Sequence, residues 1–210
     1  MTDKAKASRE KILLNEESFS YLFFEGSSSQ NPIIFFHATG LNAATYLNLL
    51  TKIFEDFDGE RSIYAFDQRG HGLSLAEADH TKLKSWKQFS KEAISFLNSL
   101  DHESVDLMGH SMGGIVASEV ASQLKLKVQN LIMLEPVLYY APKDVIKLKL
   151  KNFLKFDDLS ASNKSSSAKQ RRNNFASFEE AIEHFTGRAM VASWPEDSSR
   201  NDLEGGLVIM

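Results

Sequence analysis

The sequence predicts an α/β protein with a mostly parallel sheet flanked by helices, on three observations. Short apolar runs alternate with amphipathic stretches from Ile33 to Pro136, as in chains that wind strands and helices in turn. The run Ile33-Ile34-Phe35-Phe36 is apolar at every position, the pattern of a strand buried on both faces. The loops His37–Gly40 and Asp67–Ser74, together with Ser111 and Glu135, follow the carboxyl ends of such runs, where ligand chemistry gathers in this kind of sheet.

Taken in order, residues 1–10 read as a solvated arm. Strands follow near Lys11–Asn15 and Phe19–Phe24, the second ending in the turn-rich stretch Gly26–Pro32. After Ile33–Phe36 the pattern turns helical from Asn42, with Tyr46, Leu49, Leu50, Ile53, Phe54 and Phe57 on one face. Ser62–Phe66 is the next strand. A helix beginning at Ser85, with Gln88 completing a capping box, buries Trp86, Phe89, Ala93, Phe96, Leu97 and Leu100. The strand Val105–Met108, a helix from Gly114 and the strand Leu131–Leu134 complete the alternation. Beyond Pro136 it stops: an amphipathic helix spans Asp144–Phe156, a Ser/Lys/Asn/Arg-rich loop spans Ser160–Asn174, and a helix capped by Ser177 and Glu180 runs to about Arg188.

Gly109-His110-Ser111-Met112-Gly113 fits the pattern G-x-S-x-G between a strand and a helix. Its glycines let the backbone bend without side-chain clashes, and Gly114 lets the new helix lie close to its strand. Ser111 is thereby held at the tip of the bend, with the Met112 N–H beside it at a helix N-terminus. A hydroxyl in that position is a candidate nucleophile.

Composition narrows the setting. Apolar content of 42%, charged content of 25% and a net charge of −4 describe an ordinary globular chain and give no reason to expect nucleic acid as a partner. With no cysteine there are no disulfides or thiolate metal sites, and the N-terminus shows no apolar signal segment. No apolar run reaches the roughly 18 residues that span a bilayer. The expectation is a cytoplasmic protein without metal or cofactor; neither a P-loop nor a dinucleotide fingerprint is present.

His37-Ala38-Thr39-Gly40, Asp67-x-Arg69-Gly70-x-Gly72-x-Ser74 and Gly109-His110-Ser111-Met112-Gly113-Gly114 occur in the order and at the spacings of the α/β-hydrolase superfamily, which the chain resembles. The resemblance is to serine hydrolases of the esterase type that carry a helical cap. It implies Ser111 as nucleophile and an oxyanion hole built from the Thr39 and Met112 N–H groups, within a substrate-binding loop that includes His37 and Ala38. Ala38 stands where the family usually has glycine. His37 is expected to brace its loop, and Asp67 with Arg69 to tie theirs by hydrogen bonds. Epoxide hydrolases and dehalogenases of this fold carry aspartate at the elbow; serine points to acyl transfer.

The family's chain order, serine, then acid, then histidine, leaves a gap. Glu135, closing the strand after the serine helix, is the candidate acid. Downstream of Ser111 the one histidine is His184, inside a helix and poorly placed to be the base. Residues 1–138 are therefore expected to form the hydrolase core, and residues 139–210 an incomplete cap after which the last strands and helices of the fold are missing. The expected function is hydrolysis of a carboxylic ester or related acyl bond of a small molecule through an acyl-enzyme, with very weak or no activity expected of the chain as given; the alternative is a binding protein that kept the site and lost the chemistry. An uncovered apolar edge at Leu131–Leu134 would favour self-association.

Overall fold

A computed structural model describes residues 7–79, 85–137, 175–185 and 194–206. Within them, β1 (Ser8–Leu14) and β2 (Glu17–Phe24) form a hairpin whose two-residue turn, Asn15-Glu16, has positive φ at both positions, the twist that joins antiparallel strands tightly. Then come β3 (Ile33–Phe36), a 3-10 turn (Ala43–Tyr46), α1 (Leu47–Asp56), β4 (Ile63–Phe66), α2 (Lys87–Asn98), β5 (Ser104–His110), α3 (Met112–Gln123) and β6 (Lys127–Leu134). Two further helices, α4 (Phe178–Phe185) and α5 (Glu196–Glu204), follow.

The six strands form one sheet in the order β1-β2-β4-β3-β5-β6. β1 and β2 are antiparallel to their neighbours, whereas β3 pairs in parallel with β4 and β5, and β5 with β6. This is the mostly parallel, helix-flanked sheet that the alternation predicts. Every residue of β3 is buried, because its side chains alternate between two cores. Ile34 and Phe36 face a core with Phe89 and Phe96 of α2 and Val116 of α3; Ile33 and Phe35 face one with Leu50 and Phe54 of α1.

Register decides where the site lies. Phe36, the last residue of β3, pairs with Phe66 at the end of β4 and with Gly109, one residue before the end of β5; His110 pairs with Leu134 at the end of β6. His37, Asp67, Ser111 and Glu135 therefore leave the sheet along one edge.

Several expectations are corrected. Residues 8–10 are not arm but strand: Arg9 reaches across to the buried Asp67. The helical face after Asn42 is narrower than its spacing suggests, since the chain starts with a tighter 3-10 turn and Leu49 and Phe57 stay exposed. The box at Ser85 does not form; α2 begins after Trp86 without a side-chain cap, and Gln88 instead donates to Glu92. Ser177 does cap α4, its hydroxyl accepting the Glu180 N–H at 3.1 Å, while the Glu180 carboxylate accepts the Ala176 N–H at 2.6 Å. The helix expected at 144–156 and the loop at 160–174 lie outside the described residues. α5 was not anticipated: of its nine residues Leu203 alone is a buried apolar one, so there is no stripe to read.

Candidate active site

Strand β5 continues through His110, and α3 starts at Met112, so Ser111 makes the whole turn between them. Its backbone sits at φ 52° and ψ −113°, a region that costs a non-glycine residue about 1–3 kcal/mol. Packing on both sides holds it there. The Ser111 N–H donates to the Leu134 carbonyl at 2.9 Å, and its own carbonyl accepts the Gly114 N–H at 3.1 Å. A Cβ on Gly109 would lie 2.2 Å from the Gly113 oxygen, and one on Gly113 would lie 2.1 Å from the Phe36 oxygen. Both glycines are thus demanded by close backbone approach, and Gly114, with 3.3 Å to its neighbours, less strictly so.

The loop after β3 is held by an unusual number of hydrogen bonds. The His37 side chain is fully buried; its Nδ1 lies 2.9 Å from the Ala38 carbonyl and its Nε2 accepts the Gln68 N–H at 2.9 Å. The ring therefore donates through Nδ1 and is neutral. Burial, reinforced by the neighbouring His71, holds its pKa well below the ordinary histidine value. His71 repeats the arrangement one loop further on. Its Nδ1 donates to the Arg69 carbonyl at 2.9 Å and its Nε2 accepts the Gly40 N–H at 3.0 Å, with burial again lowering its pKa. Both histidines are braces, as expected of His37, and neither has a nitrogen left for proton transfer.

Accounting for the N–H groups of residues 38–41 leaves that of Thr39. The Ala38 N–H donates to the Tyr46 hydroxyl at 3.2 Å, the Gly40 N–H to His71, and the Leu41 N–H to the Ala38 carbonyl at 3.2 Å. The Thr39 N–H has no acceptor among the described residues. It shares a rigid peptide plane with the Ala38 carbonyl, which His37 and Leu41 both hold, so it points away from them. Thr39 is also in contact with the start of α3: its Oγ1 lies 3.2 Å from the Met112 sulfur. The structure thus brings Thr39, Met112 and Ser111 together, with Ala38 and His37 buried behind them.

Asp67 and Arg69 both bind loops together but not as a pair. Asp67, completely buried, accepts from Arg9 and Ser20 at 2.5 Å and from the Ala43 N–H at 2.8 Å. Arg69 is held by Glu17 and by Glu92, whose carboxylate is 2.7 Å from its Nε. These bonds draw the Glu17 carboxyl below its ordinary pKa. Their charged partners come from β1, β2 and α2, far away in the chain, so chain proximity gave no sign of them.

Among the described residues no base meets the serine. The Ser111 hydroxyl has no hydrogen-bond partner among the described residues. His102 lies 3.2 Å from the Tyr64 hydroxyl, and His184 packs against Phe175 and Phe185. Glu135 is exposed at the end of β6, at φ 43°, directly after the residue whose carbonyl binds the Ser111 N–H. The residue that sequence reasoning missed is Tyr46. Tyr46 was legible as an apolar helix-face residue, and nothing local signals that its hydroxyl meets a histidine 64 positions away. Among the described residues no cluster of His, Asp or Glu is arranged to hold a metal ion, and no helix is long and apolar enough to cross a membrane.

Residues 27–191 match the family model described as "Serine aminopeptidase, S33". Among curated proteins the chain is 28% identical over 121 residues to "1-acylglycerol-3-phosphate O-acyltransferase ABHD5" of Rattus norvegicus, covering 56% of this chain and 33% of that protein. It is 29% identical over 119 residues to "Protein phosphatase methylesterase 1" of Saccharomyces cerevisiae, covering 50% and 30% respectively. The chain therefore spans about a third of the length of these relatives. Among solved structures, the "Thioesterase Domain From Curacin Biosynthetic Pathway" superposes with a TM-score of 0.68 at 18% identity, over 95% of this chain and 67% of that one, a likeness of fold.

Proposed function

Because the chain belongs to the α/β-hydrolase family whose model is described as serine aminopeptidase, S33, we propose that it carries the acyl-transfer half-site of a serine hydrolase acting on a carboxylic ester or related acyl bond of a small molecule. Ser111 is the nucleophile in this reading. Its oxygen adds to the acyl carbonyl, the hydroxyl proton passes to a base, and the Thr39 and Met112 N–H groups receive the developing oxyanion. The alcohol or amine then leaves with a proton, and water releases the acyl group from Ser111. Glu135 is the candidate acid that would orient the base. Residues 139–210 act as a cap segment over the core formed by residues 1–138.

The observation that carries the reading is the pairing of a strained serine turn with the unclaimed Thr39 N–H. Both neighbours of Thr39 have their N–H groups taken, whereas its own is left over, next to the residue that follows the serine. An energetically costly backbone at Ser111 and an unsatisfied donor beside it are what an oxyanion-binding nucleophile site requires. The relatives named above as a methylesterase and an acyltransferase handle acyl groups by their names, which agrees in chemical class.

Since no described residue stands as base, the 210-residue chain is expected to turn over esters very slowly or not at all. A fluorophosphonate probe separates nucleophile from turnover. Slow, stoichiometric labelling that maps to Ser111 and disappears in Ser111→Ala is the expected result; no labelling of the parent chain overturns the reading. The bare Ser111 hydroxyl also favours a second reading, a protein that binds an acyl compound without cleaving it. Tight binding of a small acyl ligand by a folded chain that fluorophosphonate leaves untouched would establish that one instead.

A further inference from the structure

We propose that Tyr46 is a positioning residue that ties the oxyanion loop to the serine turn, its hydroxyl accepting the Ala38 N–H at 3.2 Å and donating to Nδ1 of His110 at 2.7 Å. The proposal rests on the acyl-transfer reading of Ser111. A phenol has one proton to give. An amide N–H can only donate, so the phenol oxygen accepts from Ala38, which leaves its one proton available for the His110 Nδ1; in the proposed network His110 carries its own proton on Nε2. Ala38 immediately precedes Thr39, and His110 immediately precedes Ser111. One hydroxyl thus links the residues that stand just before the proposed oxyanion donor and the proposed nucleophile.

The phenol is itself rigidly held. Its ring packs on Phe35, with centroids 4.6 Å apart, and against the His110 ring at 5.9 Å. Tyr46 closes the 3-10 turn, whose start is capped reciprocally by Asn42 and Thr45. That cap is gripped from outside: the Asn42 amide donates to the Asp202 carbonyl at 2.7 Å, and the Thr45 hydroxyl donates to the Asp202 carboxylate of α5. From the sheet side, Asp67 accepts the Ala43 N–H. Burial pushes the Tyr46 hydroxyl up to about 12, so it stays protonated, and a donor, across the neutral range. Losing the hydroxyl would leave the Ala38 N–H and the His110 Nδ1 both without partners. The His37–Ala38 peptide would then be free to tilt, and the tilt carries directly into the next plane, which holds the Thr39 N–H.

Tyr46→Phe keeps the ring and removes only the hydroxyl. Inactivation of the 210-residue chain by a fluorophosphonate ester, followed against probe concentration, separates reversible binding from the rate of the bonding step. The expected result is a bonding rate tenfold to a hundredfold lower, with the binding constant within about twofold. Nitrogen-15 imidazole spectra should also show His110 losing its single Nε2-protonated form. A pair of variants at the other end of the bond decides the matter even if Tyr46→Phe fails to fold. His110→Leu should be slowed like Tyr46→Phe, and His110→Gln, whose amide oxygen can take the phenol proton, should recover most of that loss. Labelling at the parent rate in a folded Tyr46→Phe or in His110→Leu overturns the role of Tyr46 while leaving Ser111 as nucleophile. Absence of labelling in the parent chain overturns both.

Discussion

His37 and His71 illustrate how much a single ring can determine at the residue scale. Each donates through Nδ1 to a carbonyl and accepts an N–H at Nε2, so protonation would break the second bond as well as bury a charge. Their folded pKa values lie below the value of about 6.5 expected in the unfolded chain. Protons therefore bind the unfolded state preferentially as pH falls. The stabilisation is complete above about pH 6.5 and is lost progressively below it, by up to about 1.4 kcal/mol per pH unit for each histidine. Urea midpoints between pH 7.5 and 5 should fall along this slope, and a flat profile would show that the rings titrate freely. Glu17, drawn low by Arg69, contributes only in more acid solution, so the two effects fall in different windows. The sequence marks His37 as a brace because it sits inside a recognisable loop pattern. It gives no such sign for Tyr46, whose role depends on an acceptor in another loop.

At the scale of elements, the strands were the most legible part, since apolar runs bounded by turn residues leave little choice. β1 and β6 run several residues beyond their apolar stretches, because hairpin and parallel pairing extend wherever a neighbour supplies partners. Helix starts were less legible. Gln88 suits a capping box with Ser85, but a buried Glu92 already tied to Arg69 draws it away. The most sharply determined element contact is that of α3 with β3 and β5. Gly113→Ala would drive a methyl to 2.1 Å from the Phe36 oxygen, and backbone on both sides prevents relief. A loss of about 3 kcal/mol or more is expected in chemical denaturation. Gly114→Ala, with 3.3 Å available, should cost clearly less; equal costs would mean that α3 does not sit so close.

For the molecule as a whole, the exposed apolar feature is the β6 edge. Among the described strands β6 pairs only with β5, and Leu131, Ile132 and Met133 are 38%, 44% and 38% exposed. An apolar edge with free backbone groups templates pairing with a second copy. Concentration-dependent association of the 210-residue chain is expected in sedimentation, and Ile132→Lys should shift it towards monomer without lowering the thermal midpoint. Unchanged association in that variant would place the contact elsewhere.

The sequence by itself determined the α/β architecture, the strand–turn–helix around Ser111 and the identity of the loops that share its edge. Those features follow from periodicity and from glycines at close backbone approaches, which are local. Tertiary structure alone decided which loop N–H groups are consumed and which is left, that Asp67 and Arg69 have separate partners, and that Tyr46 bridges Ala38 and His110. Each of those depends on register between strands far apart in the chain. Side-chain hydrogen bonds of that kind leave no periodic trace, because what they require is a single atom in the right place.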